Sequence, residues 1–163
     1  VDRRVRDILD EGNVVAFYAD PSHAKDSDET GWWDGIIDGW HRDYGETIDK
    51  KLWSVKTGDR LHSIMWDMTS TLRTELFTQA AMRFVAELED AAGPRFTVQS
   101  HPAMRMHLKQ ARRAPNRFGV SLAKEHRESA KKIDLAVTAV GARMLRRVVL
   151  NHPVETKRTG VVW

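Results

Sequence analysis

Within the first eleven residues, Val5, Ile8 and Leu9 stand among charges at three- and four-residue spacing, which predicts a short amphipathic helix stopped by Gly12 and Asn13. The pattern then changes. Residues 14–19 form an unbroken apolar run closed by Asp20-Pro21, as expected of a strand buried on both faces of an α/β sheet. A carboxylate at the tip of such a strand stands where open α/β sheets place their sites. Residues 21–30 are polar and predict a loop. Trp32, Trp33, Ile36, Ile37, Trp40 and Tyr44 then return to helical spacing up to Gly45. Tryptophans on one helix face can stack on bases, but this spacing favours a core.

Residues 47–55 predict a second strand and residues 56–59 a turn. Over residues 61–68 two patterns compete. Leu61, Ile64, Met65 and Met68 fit a helix, whereas Ser63, Met65 and Asp67 alternate as in a strand. Residues 71–92 carry the long helical stripe Leu72, Leu76, Phe77, Ala80, Phe84, Val85 and Leu88, stopped by Gly93-Pro94. Residues 96–99 suggest a brief strand. Residues 102–113 suggest a helix with Met104, Leu108 and Ala111 inward and Arg105, Lys109, Arg112 and Arg113 outward, broken at residues 114–116. A strand is expected over residues 118–122 and a last helix from about Ser129 to Val149, leaving a loose tail after residue 150.

In that last helix Asp134, Val137, Thr138, Gly141, Ala142, Leu145, Val148 and Val149 share one face, which the pattern assigns to the core. A carboxylate on a buried stripe must be paired, protonated or bound to a cation. Three readings follow: an ion pair with Lys124 or Lys131, a carboxylate favoured by the positive end of the helix dipole, or a metal ligand. Asp20 and Asp134, arriving from different elements, are the oxygen donors a hard divalent cation prefers.

Composition narrows the chemistry. The 163 residues suit one domain, and 41% hydrophobic with 30% charged residues describes an ordinary globular chain. There is no cysteine, so disulfides, thiolate zinc sites and cysteine nucleophiles are excluded. No GxxxxGK[ST] loop occurs, so no ATP site is expected in this chain. Neither a signal peptide nor an apolar run of roughly 18 residues is present, and no membrane role is expected. His23, His101, His107 and His126 form no HExxH pair, which disfavours zinc, and the lack of a GxSxG elbow disfavours a serine hydrolase.

The net charge of +3 is unevenly distributed: residues 1–104 hold 12 basic and 19 acidic side chains, whereas residues 105–163 hold 14 and 4. Such a basic back third suits phosphate-backbone contact, with a solvated charged surface as the plainer reading.

Residues 119–137 read GVSLAKEHRESAKKIDLAV. Lys124-Glu125, Ser129, and Lys132-Ile133-Asp134 leading into an Ala/Val helix resemble the closing motif of tailed-phage terminase large subunits. Tyr18-Ala19-Asp20-Pro21 resembles the family's second acidic strand, and Ser100-His101-Pro102 through His107 to Ala111-Arg112-Arg113 its intervening His and Asn-Ala-Arg region. The likeness runs in order over residues 14–149. It implies an α/β, ribonuclease H-like nuclease domain with a central mixed sheet flanked by helices, over residues 1–150, and a flexible tail over 151–163. It further implies Asp20 and Asp134 as ligands of Mg²⁺ or Mn²⁺ in a two-metal site, with Lys124 near the scissile phosphate. Arg105, Lys109, Arg112, Arg113, Arg117, Lys131 and Lys132 are the candidate contacts to DNA. The implied role is cutting concatemeric double-stranded phage DNA, in the bacterial cytoplasm and transiently at the prohead. The implied partners are an ATPase domain, a small terminase subunit and a portal.

Three departures qualify the resemblance. The family's first Asp-bearing strand has no counterpart here, so the fold is expected to be incomplete at its N-terminal side and the isolated chain to be weak or inactive. Ser22-His23-Ala24 replaces the usual aromatic and Trp after Asp20-Pro21, and Gln110 replaces the usual Asn. Asp26, Asp28 and Glu29 are candidate replacement ligands, with a solvated acidic loop as the plainer reading. The alternative function is a noncatalytic DNA-binding or motor-docking fragment. A resolvase or integrase of the same fold is a third reading.

Overall fold

The computed structural model describes residues 1–21, 32–48, 55–57, 60–98, 101–126 and 128–151. The fold is mixed α/β. Helix α1 (Asp2–Asp10) is followed by an extended segment, residues 13–20, and by α2 (Trp32–Tyr44). Strands β1 (Val55–Thr57) and β2 (Arg60–His62) pair antiparallel, with Lys56 opposite Leu61. Helix α3 (Thr71–Leu88) and α4 (Pro102–Gln110) precede a second antiparallel hairpin, β3 (Arg112–Asn116) and β4 (Gly119–Ala123), registered with Ala114 opposite Ser121. Helix α5 (Asp134–Asn151) ends the described chain.

Two apolar clusters sandwich the extended segments. Leu9 of α1, Ile37 and Trp40 of α2, Ile48 and Ile64 form the first, with Val14, Phe17 and Ala19 packed against it. Phe77, Ala80, Ala81 and Phe84 of α3 form the second with Trp66 and with Val140 and Met144 of α5, and Tyr18, Met68 and Leu122 pack against that one. Phe17 and Ala19 therefore serve one cluster and Tyr18 the other, which is period-two alternation. The neighbouring segment does not alternate: Ile64 and Met65 serve the first cluster, Trp66 and Met68 the second. Pairing between the segments is parallel and brief: Ala19 N donates to Ile64 O at 2.9 Å and Trp66 N to Ala19 O at 2.7 Å.

Polar contacts fix the helices. Asp2 accepts from Trp40 Nε1 at 2.7 Å and from Arg6 Nε at 3.0 Å, and Arg6 reaches on to Asp43, so α1 is pinned across α2. Burial of Trp40, 2% exposed, settles the tryptophan question for that residue in favour of the core, and Trp33 packs beside it.

Several expectations are corrected. Helix α4 stops at Gln110, and residues 112–116, read as helix and break, are strand β3, because β4 supplies the hydrogen-bonding partner that helix spacing cannot reveal. Lys56 and Thr57 belong to β1 rather than a turn. Residues 96–98 make no strand; Phe96 instead tilts against Phe84 with ring centroids 4.9 Å apart. Residues 129–133 precede α5 rather than belonging to it. The core face of α5 is Ala136, Val140 and Met144, and Asp134, Thr138 and Ala142 are exposed, so the predicted stripe is displaced around the helix. The loop residues His23, Asp26, Asp28 and Glu29, Arg127, and the tail from residue 152 lie outside the described residues.

Candidate functional site

Asp20 stands where the sequence pattern placed it, at the C-terminal end of the extended segment. The pairing through Ala19 sets its height, and its Oδ1 accepts from Met68 N at 3.3 Å, so the carboxylate leans towards the end of the neighbouring segment. That segment also ends on a carboxylate. Asp67 Oδ1 accepts from Thr69 N at 2.8 Å and Thr69 Oγ1 at 2.6 Å, which makes it the organiser of the turn into α3. Its signal in the sequence was the run Ile64-Met65-Trp66 ending on an acid, the same form as residues 14–20.

Beside Asp20 opens a cleft of about 360 Å³ between the two extended segments and α5. Ala16, Tyr18, Trp66 and Met68 form one wall, Val137, Thr138, Gly141 and Leu145 the other, with Asp20 among the lining residues. Tyr18 stacks on Trp66, centroids 4.7 Å apart, and burial pushes its phenol up to about 12, with nearby Arg73 opposing. Tyr18 was not singled out in the sequence because it sits inside an apolar run.

Asp134 is the first residue of α5 and is exposed. Its place at the start of α5 is compatible with the helix-terminus reading, and its exposure removes the need for a buried partner. Lys131 pairs with Glu125 rather than with Asp134. The start of α5 is also held from α4, where His107 Nδ1 accepts from Leu135 N at 3.0 Å. Thr138, one turn further on and on the same side, donates to Asp134 O at 2.9 Å and lines the cleft that Asp20 lines. The fold thus brings Asp20 and the first turns of α5 to one cleft, with Asp134 a turn beyond its wall.

Lys124, half-buried, follows β4 directly. Arg105 and Lys109 are exposed on α4, and Arg112 and Arg113 are exposed on β3, where Arg112 Nη1 donates to Lys109 O at 3.0 Å and ties the hairpin to the helix. Arg117, at the hairpin turn, lies over the Phe118 ring at 4.6 Å and donates to Thr71 Oγ1. Lys131 and Lys132 are exposed ahead of α5.

The oxygen donors at Asp20 and Asp134 fit a hard divalent cation in kind. Among the described residues no three His, Asp or Glu side chains converge as a metal group. No helix of the described residues is long and apolar enough to cross a membrane. Compared with protein-family models, with curated proteins and with solved structures, the chain matches none.

Proposed function

We propose that this chain is a nuclease domain of the terminase large-subunit type, with a ribonuclease H-like fold, acting on double-stranded DNA with Mg²⁺ or Mn²⁺. The observation that carries the reading is the shared cleft: Asp20 at the end of an extended segment and the opening turns of α5, which begins with Asp134 inside the Lys-Ile-Asp motif. A bound divalent cation would supply activation of water and neutralisation of charge on the leaving oxygen. The chain's own residues hold and orient. Asp20, fixed by Met68 N, and Asp134, the first residue of α5, are the ligands; Lys124 meets phosphate charge; Arg105, Lys109, Arg112, Arg113, Arg117, Lys131 and Lys132 grip the duplex. By the same resemblance the partners are the packaging ATPase, the small subunit and the portal, at the prohead of an infected bacterium.

A second reading keeps the DNA grip and drops the cutting. It is favoured by the exposure of Asp134, which stands outside the lining of the cleft that Asp20 lines. Supercoiled plasmid incubated with the chain and Mn²⁺ separates the two. The nuclease reading expects nicking or linearisation, lowered at least tenfold by Asp134→Ala and by Asp20→Ala while circular dichroism stays unchanged. Plasmid that is shifted on a gel but left intact at every protein and Mn²⁺ concentration would leave only the binding reading.

A further inference from the structure

His62, at the end of β2, is 3% exposed and takes no part in the proposed chemistry. Its Nδ1 accepts from two backbone amides, Ile64 N at 3.2 Å and Met65 N at 2.9 Å. A ring nitrogen that accepts carries no proton, so the ring hydrogen is on Nε2, 3.1 Å from Asp38 Oδ1 of α2. The ring stacks on His41, also of α2, with centroids 4.2 Å apart and planes 28° from parallel. His41 Nδ1 in turn lies 2.9 Å from Ser63 Oγ. Among the described residues the ionisable groups facing the His62 ring are Asp38 and His41.

The two amides that Nδ1 receives begin the segment that holds the Asp20 strand. Ile64 O accepts from Ala19 N, Trp66 N donates to Ala19 O, and Met68 N donates to Asp20 Oδ1. We propose that His62 is a positioning residue for Asp20: its neutral ring, anchored to α2 through Asp38, sets residues 64–68 in the course that fixes where the Asp20 carboxylate stands. A proton on Nδ1 would face two N–H groups, and at least one amide would have to leave, loosening the pairing with Ala19.

Burial holds the His62 pKa below its ordinary 6.5, and neighbouring His41 acts in the same direction while Asp38 opposes. With the folded-state value below the unfolded one, the ring's contribution to stability is complete above the ordinary 6.5 and is lost as pH falls through the folded-state value. The alignment of Asp20 has the same lower limit.

The test is made on the whole chain, labelled with ¹⁵N. Ring ¹⁵N shifts report the His62 tautomer and its titration, and amide exchange reports Trp66 and Met68, with Phe84 in α3 as a control. The expected result is a ring hydrogen on Nε2 and, as the ring protonates, at least tenfold loss of protection at Trp66 and Met68 with Phe84 unchanged. His62→Asn retains an acceptor oxygen near the Nδ1 position and does not titrate, so its protection should stay flat through that range. Ring protonation without loss at Trp66 and Met68, equal loss in His62→Asn, or parallel loss at Phe84 would overturn the proposal. The role in cutting rests on the nuclease reading: there, the acid limb of kcat should follow the ring titration with KM for DNA unchanged, and vanish in His62→Asn. A kcat indifferent to the ring titration would overturn that role. If the wild type cuts no DNA at any pH while protection follows the ring, the nuclease reading falls and the positioning of Asp20 stands.

Discussion

Gly119, at the turn into β4, has φ +133°, a backbone conformation open to glycine and strained for any L side chain. It also lies under Met82 of α3, and an added Cβ would run into the Met82 sulfur. Around this close approach the hairpin is laid on α3 by Asn116 Nδ2 donating to Thr78 Oγ1 at 3.0 Å and Gln79 Nε2 donating to Phe118 O at 3.2 Å. Gly119→Ala should therefore destabilise the fold by about 1–3 kcal/mol, combining backbone strain with overpacking. Urea unfolding measures it, and repeating the substitution in a Met82→Ala background divides the cost. Because Met82 is 43% exposed and can swing aside, the strain part should dominate and survive in the double variant. A midpoint unchanged in Gly119→Ala would show that the hairpin does not need this approach.

Between elements, α3 and α5 are joined by more than their apolar faces. Glu87 of α3 accepts from Arg143 Nε at 3.0 Å and from Arg147 Nη2, both on α5, and the three side chains are only 18%, 20% and 20% exposed. Burial pushes the Glu87 carboxyl upwards, but the two guanidinium groups outweigh it and hold it below its ordinary 4.5. Its stabilising contribution is then complete above the ordinary 4.5 and is lost as pH falls through the folded value. Glu87→Gln should cost about 1–2 kcal/mol at neutral pH, more than an exposed pair and less than a fully buried one. The difference from wild type should shrink in urea melts below pH 4.5; a constant difference across pH would assign the loss to packing alone. The sequence showed both helices but not this clamp, since Glu87 and Arg143 are distant in the chain and charged residues carry no face assignment of their own. It showed α1, α2 and α3 well, because a single apolar stripe at helical spacing specifies them. It misassigned the face of α5, because that helix is small-residued on two sides. Gly141 and Leu145 line the cleft, Val137 and Met144 touch both cleft and core, and Ala136, Val140 and Met144 are the buried positions. Strand β3 was hidden for a related reason. With both faces largely exposed, Arg-Arg-Ala-Pro-Asn has no apolar alternation to read, and its order comes from pairing with β4. Asp20 was legible because an apolar run ends on it, although that run is half-buried with Val15 exposed and makes a single bridge at Ala19, not the doubly buried strand expected. His62 was not, because a histidine that accepts backbone amides leaves no pattern in the residues around it.

At the scale of the molecule, charge follows the fold as well as the chain. The acidic excess lies within residues 1–104, which contribute α1, α2 and one apolar cluster, whereas the basic residues beyond 104 that the structure describes fall on α4, the β3–β4 hairpin, the approach to α5 and, as Arg143, Arg146 and Arg147, on α5 itself. Arg112 and Arg113 are exposed on β3, and the Arg112 bond to Lys109 O links the start of the hairpin to the end of α4. A duplex held there would release counterions for each phosphate neutralised, so its affinity should fall steeply and linearly on a log–log plot against salt. Replacing Arg112 and Arg113 with Ala together should lower the slope by about 2, with similar losses on unrelated sequences, because backbone contacts carry no base information. Fluorescence anisotropy on two duplexes of different sequence, over a range of salt, measures both quantities. A slope unchanged by the double substitution would move the DNA surface away from the hairpin, and with it the argument that the basic back third serves the cleft at Asp20. A loss confined to one duplex would mean instead that these arginines read bases, against the backbone grip of the proposed nuclease.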